Sequence, residues 1–358
     1  MHKIDSNYYN SILEEYWYKD MRDEIKPIDF SLWNMSAEDL SLWWFCHHNC
    51  NSFAELSDLT SEKVKVITWI WISGVPHLWT LSQILKATKL QSEGKLAVKF
   101  VLWDLDAYNG KGTPLKYARD LWEHVRKFML SIWFDDSWRN ELCSQFDELE
   151  ILRTMYLSSL FMDDELFDDA EEDLHSFYVK SWKVDEQMSF RRKQSLALMV
   201  AWWYHQFLYN WDEKILVTLG IDEHKYVKFG QRVLAKMQQS DEFSWELKGK
   251  EISAMYTTLI RGFDWYPKMS KSFPNSWITL DMSKDKITDL ILNREGKMTI
   301  PEDNVVLQCI CNTSRFTQQE INDAFSAYNR GGREWEQVKK KYIEDLWSLL
   351  EEWQKYYE

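Results

Sequence analysis

The chain lacks any stretch long enough to cross a bilayer. Its most apolar run, Ile67 to Ile72, falls far short of the roughly 20 residues that a spanning helix needs. The opening residues, Met-His-Lys-Ile-Asp-Ser-Asn, carry no signal-peptide pattern. Cysteine is scarce and irregularly placed: five thiols with no regular spacing imply reduced sulfur and a cytoplasmic setting, not a disulfide framework. Positive charge is also deficient. With 43 Lys and Arg against 57 Asp and Glu, the net charge of -14 argues against a generally basic nucleic-acid binder, leaving room only for a local patch. No DNA or membrane partner is expected.

Tryptophan, by contrast, is abundant. The 21 copies include Trp43-Trp44, Trp69-x-Trp71 and Trp202-Trp203, which read first as core packing. At 358 residues the chain has room for two or three domains. Residues 1 to about 60 read as a helical segment, with Ser36-Ala-Glu-Asp39 capping a helix through Leu40, Trp43 and Trp44. Cys46-His-His-Asn-Cys50 would need further ligands to hold a metal. Cys309-x-Cys311 is the only other pair, and its spacing is unlike that of zinc knuckles, so no metal is expected and the thiols read as small core residues.

From Lys65 the pattern becomes a buried strand, Val66 to Ile72, ended by Ser73-Gly74 and followed by a helix from Leu81 to Gln91. A strand, a glycine turn and a helix N-terminus make a ready anion site, with His77 at that terminus. A second strand ends at Asp104 and Asp106, at the edge where open α/β sheets place ligands, and a helix runs from Pro114 to Ile132. That alternation predicts a parallel sheet. Residues 135 to 195 read as an inserted helical segment whose acidic run, Met162 to Asp173, is a solvated face. A helix from Leu196 to Leu208, the strand 214–219 and the turn Gly220-Ile-Asp-Glu223 resume the pattern. Asp222 suits either a ribose contact or a helix N-cap. Lys268-Met269-Ser270-Lys271-Ser272 places two ammonium groups three residues apart in a small-residue loop, suited to the charge of a triphosphate under cleavage.

These landmarks carry a resemblance covering most of the chain beyond residue 60. Ser73-Gly-Val-Pro-His77-Leu-Trp-Thr80 looks like the first signature of class I aminoacyl-tRNA synthetases, and Lys268 to Ser272 is similar to their second signature loop. Leu102-Trp-Asp-Leu-Asp-Ala-Tyr108 and Gly220 to Glu223 resemble segments of the tyrosyl enzymes, while Pro274-Asn-Ser276 is shared more with the tryptophanyl enzymes. The resemblance implies a Rossmann-like α/β catalytic domain over 61–272, with a helical insertion at about 135–195, and a helical C-terminal domain over 273–358. It implies ATP, as its magnesium complex, and an amino acid joined as an aminoacyl-adenylate and passed to an acceptor. His77, Lys268 and Lys271 would be catalytic. Gly74, Thr80, Gly220, Asp222, Ser270 and Ser272 would bind ATP, and Trp71, Asp104, His205, Gln206 and Glu223 would line the substrate side.

Departures from the family pattern predict an altered substrate. Trp79 stands where the family has a glycine under the adenine, and Thr80 and Glu223 replace a histidine and a glutamine. The positions that hold a tyrosine hydroxyl fall on Ile67, Ala201, His205 and Leu208, only one of them polar. Alternatives are therefore a paralogue outside translation that joins an amino acid to a small-molecule or peptide amine or uses a charged tRNA, and a catalytically silent binding protein. After the loop come helices at 284–292 and 317–328, the latter opening on the capping box Thr317-Gln-Gln-Glu320, and a last amphipathic helix beyond Gly331-Gly332. Arg330, Arg333, Lys339, Lys340 and Lys341 give that helix a basic edge which could touch tRNA. A homodimer is typical of the subclass.

Overall fold

The computed structural model describes residues 7–20, 31–32, 35–36, 40–41, 45–48, 63–92, 94–137, 139–170, 188–257, 260–264, 269, 276–296 and 301–357. In chain order the strands are β1 (Lys19–Asp20), β2 (Ser31–Leu32), β3 (Met35–Ser36), β4 (Phe45–His48), β5 (Val64–Trp71), β6 (Ala97–Trp103), β7 (Glu141–Ser144), β8 (Lys214–Gly220) and β9 (Glu251–Thr257). The helices are α1 (Asn7–Tyr16), α2 (Leu78–Ser92), α3 (Asp104–Lys111), α4 (Leu115–Ser131), α5 (Leu149–Ser158), α6 (Asp164–Asp169), α7 (Phe190–Tyr209), α8 (His224–Gln238), α9 (Lys284–Asn293), α10 (Val305–Thr313), α11 (Gln318–Arg330) and α12 (Gly332–Tyr357).

The main sheet has the order β1-β4-β9-β8-β5-β6-β7. Its five strands from β9 to β7 are mutually parallel, while β4 runs antiparallel to β9. Strands β5 and β6 are buried almost throughout because helices cover both faces, which explains their near-continuous apolar sequences. Alternation along the strands then divides the core. Val66, Ile70, Phe100 and Leu102 face α2, α4 and the C-terminal helices, whereas Ile67, Trp69, Val101 and Trp103 face α7 and α8. This is a Rossmann-like parallel α/β sheet, the architecture the sequence predicts.

Helix α12 packs against α4, α9 and α11 through Trp335, Tyr342, Leu346 and Trp353, the apolar stripe read from the sequence. Both halves of the Thr317–Glu320 capping box are formed. The described part of the acidic run, up to residue 170, is largely exposed, and three of its carboxylates meet cations on α7 and α8: Asp163 with Lys236, Asp164 with Lys193 and Asp169 with Arg232.

The N-terminal segment departs from the helical expectation. Phe45–His48, expected on a helix with Cys46, is a strand that pairs with β9, and Lys19–Asp20 extends the same sheet. Trp43, Trp44 and Cys50 lie outside the described residues. Cys309 and Cys311 are buried on α10, where burial holds the Cys309 thiol well above its ordinary range. Strand β7, inside the supposed helical insertion, is likewise a sheet element.

Candidate active site

Chain order runs outward from β5 to β6 and β7 on one side and to β8 and β9 on the other, so the order of the parallel strands reverses between β5 and β8. Open α/β sheets bind ligands beyond the carboxyl ends of strands at such a point. Here the two strands also part. The β5–β8 ladder extends only over Val64–Ile67 and Lys214–Val217, whereas β5 stays paired with β6 up to Trp71 and β8 with β9 up to Gly220. Beyond the ladder, Thr68 Oγ1 donates to Thr218 O at 3.0 Å. Above that contact the two strands are unpaired, and the crevice expected between their carboxyl ends is bounded by the Ser73–His77 turn that follows β5 and the Gly220–Glu223 turn that follows β8.

His77 opens α2 as its N-cap. The backbone N–H of Thr80 and its hydroxyl both lie 3.3 Å from His77 Nδ1. An N–H at that position makes Nδ1 an acceptor, so the neutral ring carries its proton on Nε2. His77 also forms an antiparallel bridge with Thr279. Leu78 N–H donates to Ile278 O at 3.0 Å and Leu280 N–H to Pro76 O at 2.9 Å.

Residues 276–280 are the segment that leaves the two-lysine loop. Lys268, Ser270, Lys271 and Ser272 lie outside the described residues, but the loop's fixed points are clear. Phe263 N–H donates to Ser276 O at 3.1 Å, closing the base, and Met269 N–H donates to Ile260 O at 2.7 Å while its side chain is buried in the core. Met269 and Ser276 are thus each held by a backbone hydrogen bond, and residues 278–280 are bonded to the turn that opens α2.

On the α7 side of the sheet, indoles fill the space below the crevice. Trp69 stacks on Trp103 with centroids 4.8 Å apart and planes 6° from parallel. Trp71 meets Trp103 edge-on at 4.8 Å, and Trp69 leans on Trp203 at 6.1 Å. Trp71 is the outermost of the column, half-buried, with Lys111 Nζ 4.8 Å over its ring.

Residues 194–355 match the family model of tRNA synthetases class I (W and Y). Tryptophanyl-tRNA synthetase from the hyperthermophilic archaeon Aeropyrum pernix K1 superposes with a TM-score of 0.74 at 16% identity, over 98% of this chain and 93% of that one. The chain has the fold of the class I Trp/Tyr synthetases. Giardia lamblia tryptophanyl-tRNA synthetase gives a TM-score of 0.69 at 14% identity, over 99% and 95%. Tyrosyl-tRNA synthetase from Aeropyrum pernix gives 0.63 at 16%, over 85% and 89%. No match was found among curated protein sequences.

Within this synthetase-like frame the expected residues divide. Gly74, His77, Thr80, Gly220, Asp222, Glu223 and Trp71 all lie at the carboxyl edge around the crevice. Asp222 sits inside a 3-10 turn, Ile221–Glu223, and not at a helix cap position. Beside it His224 is buried and shares a 2.9 Å hydrogen bond with Tyr18. The α1–β1 corner therefore closes over the Gly220–Glu223 turn, a contact across 206 residues that no local pattern announces.

Asp104 is a structural residue. Its fully buried carboxylate accepts from Arg119 at 2.8 Å, Ser144 at 2.6 Å, Leu105 N–H at 2.9 Å and Phe146 N–H at 3.1 Å. Asp106, two residues on, is the more chemically distinctive. Buried at the start of α3 and bonded to Gln145 Nε2 at 2.7 Å, its carboxyl is pushed up to about 7 by burial, with the Asp104 charge adding to the rise and bonds from Gln145 and Ser195 opposing it. Gln145 and Ser195 come from separate segments, so sequence spacing could not assemble this cluster.

His205 and Gln206 lie away from the crevice. Helix α7 runs toward the amino edge of the sheet, where Gln206 O accepts from Asp212 N–H, two residues before β8. His205 bonds Thr154 at 3.1 Å, and burial, with Lys99 nearby, lowers its imidazole to about 4. Ten residues of helix, about 15 Å, separate it from Ser195 at the other end. His205 and Gln206, expected on the substrate side, thus sit at the end of α7 remote from the crevice.

The basic edge is largely neutralised. Lys339 is buried and bonds Glu295 at 3.0 Å, Lys341 bonds Glu320 at 2.5 Å, and Arg330 pairs with Glu334. Trp79 packs against the core, with Lys86 Nζ 5.5 Å from its ring centroid. No helix among the described residues is long and apolar enough to cross a membrane, and no cluster of three or more His, Cys, Asp or Glu there could hold a metal ion.

Proposed function

We propose that the chain is an ATP-dependent ligase that activates a carboxylate at the β5–β8 crevice and hands the acyl group to an acceptor. The supporting observation is the His77–Thr279 bridge, which couples the α2 N-terminus to the exit of the Lys268–Ser272 loop. In this reading a carboxylate oxygen attacks the α-phosphorus of MgATP, the bond to the β-phosphate breaks, and pyrophosphate departs. His77 and the α2 amides stabilise the phosphates, Asp222 holds the ribose, and Lys268 and Lys271 carry the charge of the leaving group. The protein contributes position and field, with no covalent nucleophile.

The substrate differs from tyrosine. The indole column occupies the α7 side, so a long aromatic side chain has no room there without displacing Trp69 or Trp71. With three of the five basic-edge cations spent on carboxylates, a small-molecule or peptide amine is favoured over tRNA as acceptor. A catalytically silent binding protein is the second reading, supported by Trp79 and the same column. Carboxylate-dependent exchange of labelled pyrophosphate into ATP tests both. Exchange with a small amino acid supports the ligase; no exchange with any common amino acid, together with retained ATP binding, supports the silent protein.

A further inference from the structure

A cleft of about 1060 Å³ opens at the far end of α2 from His77, about 22 Å away along the helix, and so independent of the crevice. Its walls are the last turns of α2 and α4, the 314–318 connection and the outer half of α12. Leu85, Ile132, Phe316 and Leu349 give it apolar surface. Trp133 stands at its edge, 75% exposed.

Hydrogen-bond accounting gives the cleft its chemistry. The hydroxyls of Thr88, Ser131 and Ser348 donate to the carbonyls of Ile84, Phe128 and Asp345 at 2.8–3.0 Å. Their protons are spent within their own helices; the Ser348 oxygen in turn accepts from the Arg315 guanidinium, while the Thr88 and Ser131 oxygens keep lone pairs for a donor. The cations are engaged too: Arg315 binds Asp345 at 2.8 Å and Lys355 binds Glu352. Counting Lys89 and Glu351, formal charge around the cleft balances. The helix ends tip that balance, because α2, α4 and α10 all finish here and each carboxyl end carries about half a negative charge. The opposing positive end of α11 is already capped by Thr317 and Glu320.

Trp133 supplies the second element. It occupies the left-handed C′ position of α4, with φ of 71°. An L-residue there is strained, and glycine is the usual occupant. The indole is held away from the core, leaving a π face exposed where an ammonium could stack.

We propose that this cleft binds an organic polyamine, a flexible chain carrying several ammonium groups. One ammonium stacks on Trp133, and the others donate to the Ser131 oxygen and to Glu351. The chain's net charge of -14 raises the local concentration of such a cation.

Calorimetric titration of the full chain with spermidine at moderate salt tests this, with 1,8-octanediol as the uncharged control of similar length. The expected result is saturable one-to-one binding of spermidine, none of the diol, and a loss of affinity of roughly 5-fold in each of Trp133→Ala and Glu351→Gln. Both residues are exposed, so unfolding midpoints no lower than the parent's establish that the variants are folded. Absence of saturable binding at millimolar spermidine overturns the proposal. So does binding that either substitution leaves unchanged, which would reduce it to counter-ion attraction by an acidic surface.

Discussion

Trp203 occupies the space that any side chain at Gly230 would need: a Cβ there would lie 2.2 Å from the indole. Helices α7 and α8 therefore approach as closely as they do only because position 230 is bare. We predict that Gly230→Ala separates them and lowers stability by about 2 kcal/mol, the usual scale of overpacking. An unchanged urea midpoint would show that Trp203 can move aside freely.

Asp106 makes the fold sensitive to pH in an unusual direction. Its carboxyl is held near 7 in the folded state against about 3.9 in an unfolded chain. The folded protein thus retains a proton that the unfolded chain has released. This contribution is full below pH 4 and is lost as pH rises toward 7, at about 1.4 kcal/mol per unit. Asp106→Asn should remove that slope. Unfolding free energies of parent and variant at pH 5 and pH 8 should differ more at pH 8, in favour of the variant; parallel values would refute the assignment.

Glu141 is shared by two buried lysines, at 3.0 Å from Lys65 and 2.5 Å from Lys99. Burial alone would raise its carboxyl, but Lys99 and then Lys65 outweigh that and hold it below the usual range. Replacing it with Gln leaves two buried ammonium groups uncompensated, and we expect a loss of about 3 kcal/mol at pH 7. Because a depressed carboxylate stabilises above its unfolded value and ceases to do so as pH falls through its folded one, the gap between variant and parent should close in acid. Denaturant melts at pH 7 and pH 3 read both effects.

Trp133 is the reverse case, a residue whose removal should help. Its N–H and that of Phe134 bond to Leu130 O and Met129 O, a Schellman ending that glycine adopts without strain. Trp133→Gly should stabilise the protein by about 1 kcal/mol, visible as a higher thermal midpoint.

For the proposed chemistry, Lys271→Ala should abolish pyrophosphate exchange while leaving the circular dichroism spectrum unaltered. An unchanged exchange rate would remove that lysine from the mechanism.

Strands β5, β6 and β8 were legible because double-sided burial demands nearly continuous apolar sequence. Strands β4, β7 and β9 were not, since Phe-Cys-His-His, Glu-Leu-Cys-Ser and a run through Ser253 and Ala254 carry no such signal. The Ser73–Thr80 turn could be read because Gly74, His77 and Thr80 are neighbours in sequence. Its clamp could not, because Thr279 lies 202 positions away. Helix α7 misled for a different reason: it is buried from Ser195 to Tyr204, so no polar stripe marks which end meets the crevice. Asp104 drew notice as an acid at a strand end, yet only coordinates reveal that Arg119, Ser144 and two amides consume it.

The indole column has an optical consequence. Two chromophores 4.8 Å apart and nearly parallel, with a third meeting them edge-on, couple their electronic transitions strongly, so Trp69, Trp103 and Trp71 should dominate the circular dichroism of the aromatic bands despite the many other indoles. Because Trp71 borders the crevice and Trp69 reaches the core, any ligand that shifts the outer ring changes that coupling. The protein thus carries its own label-free reporter of anything that moves Trp71.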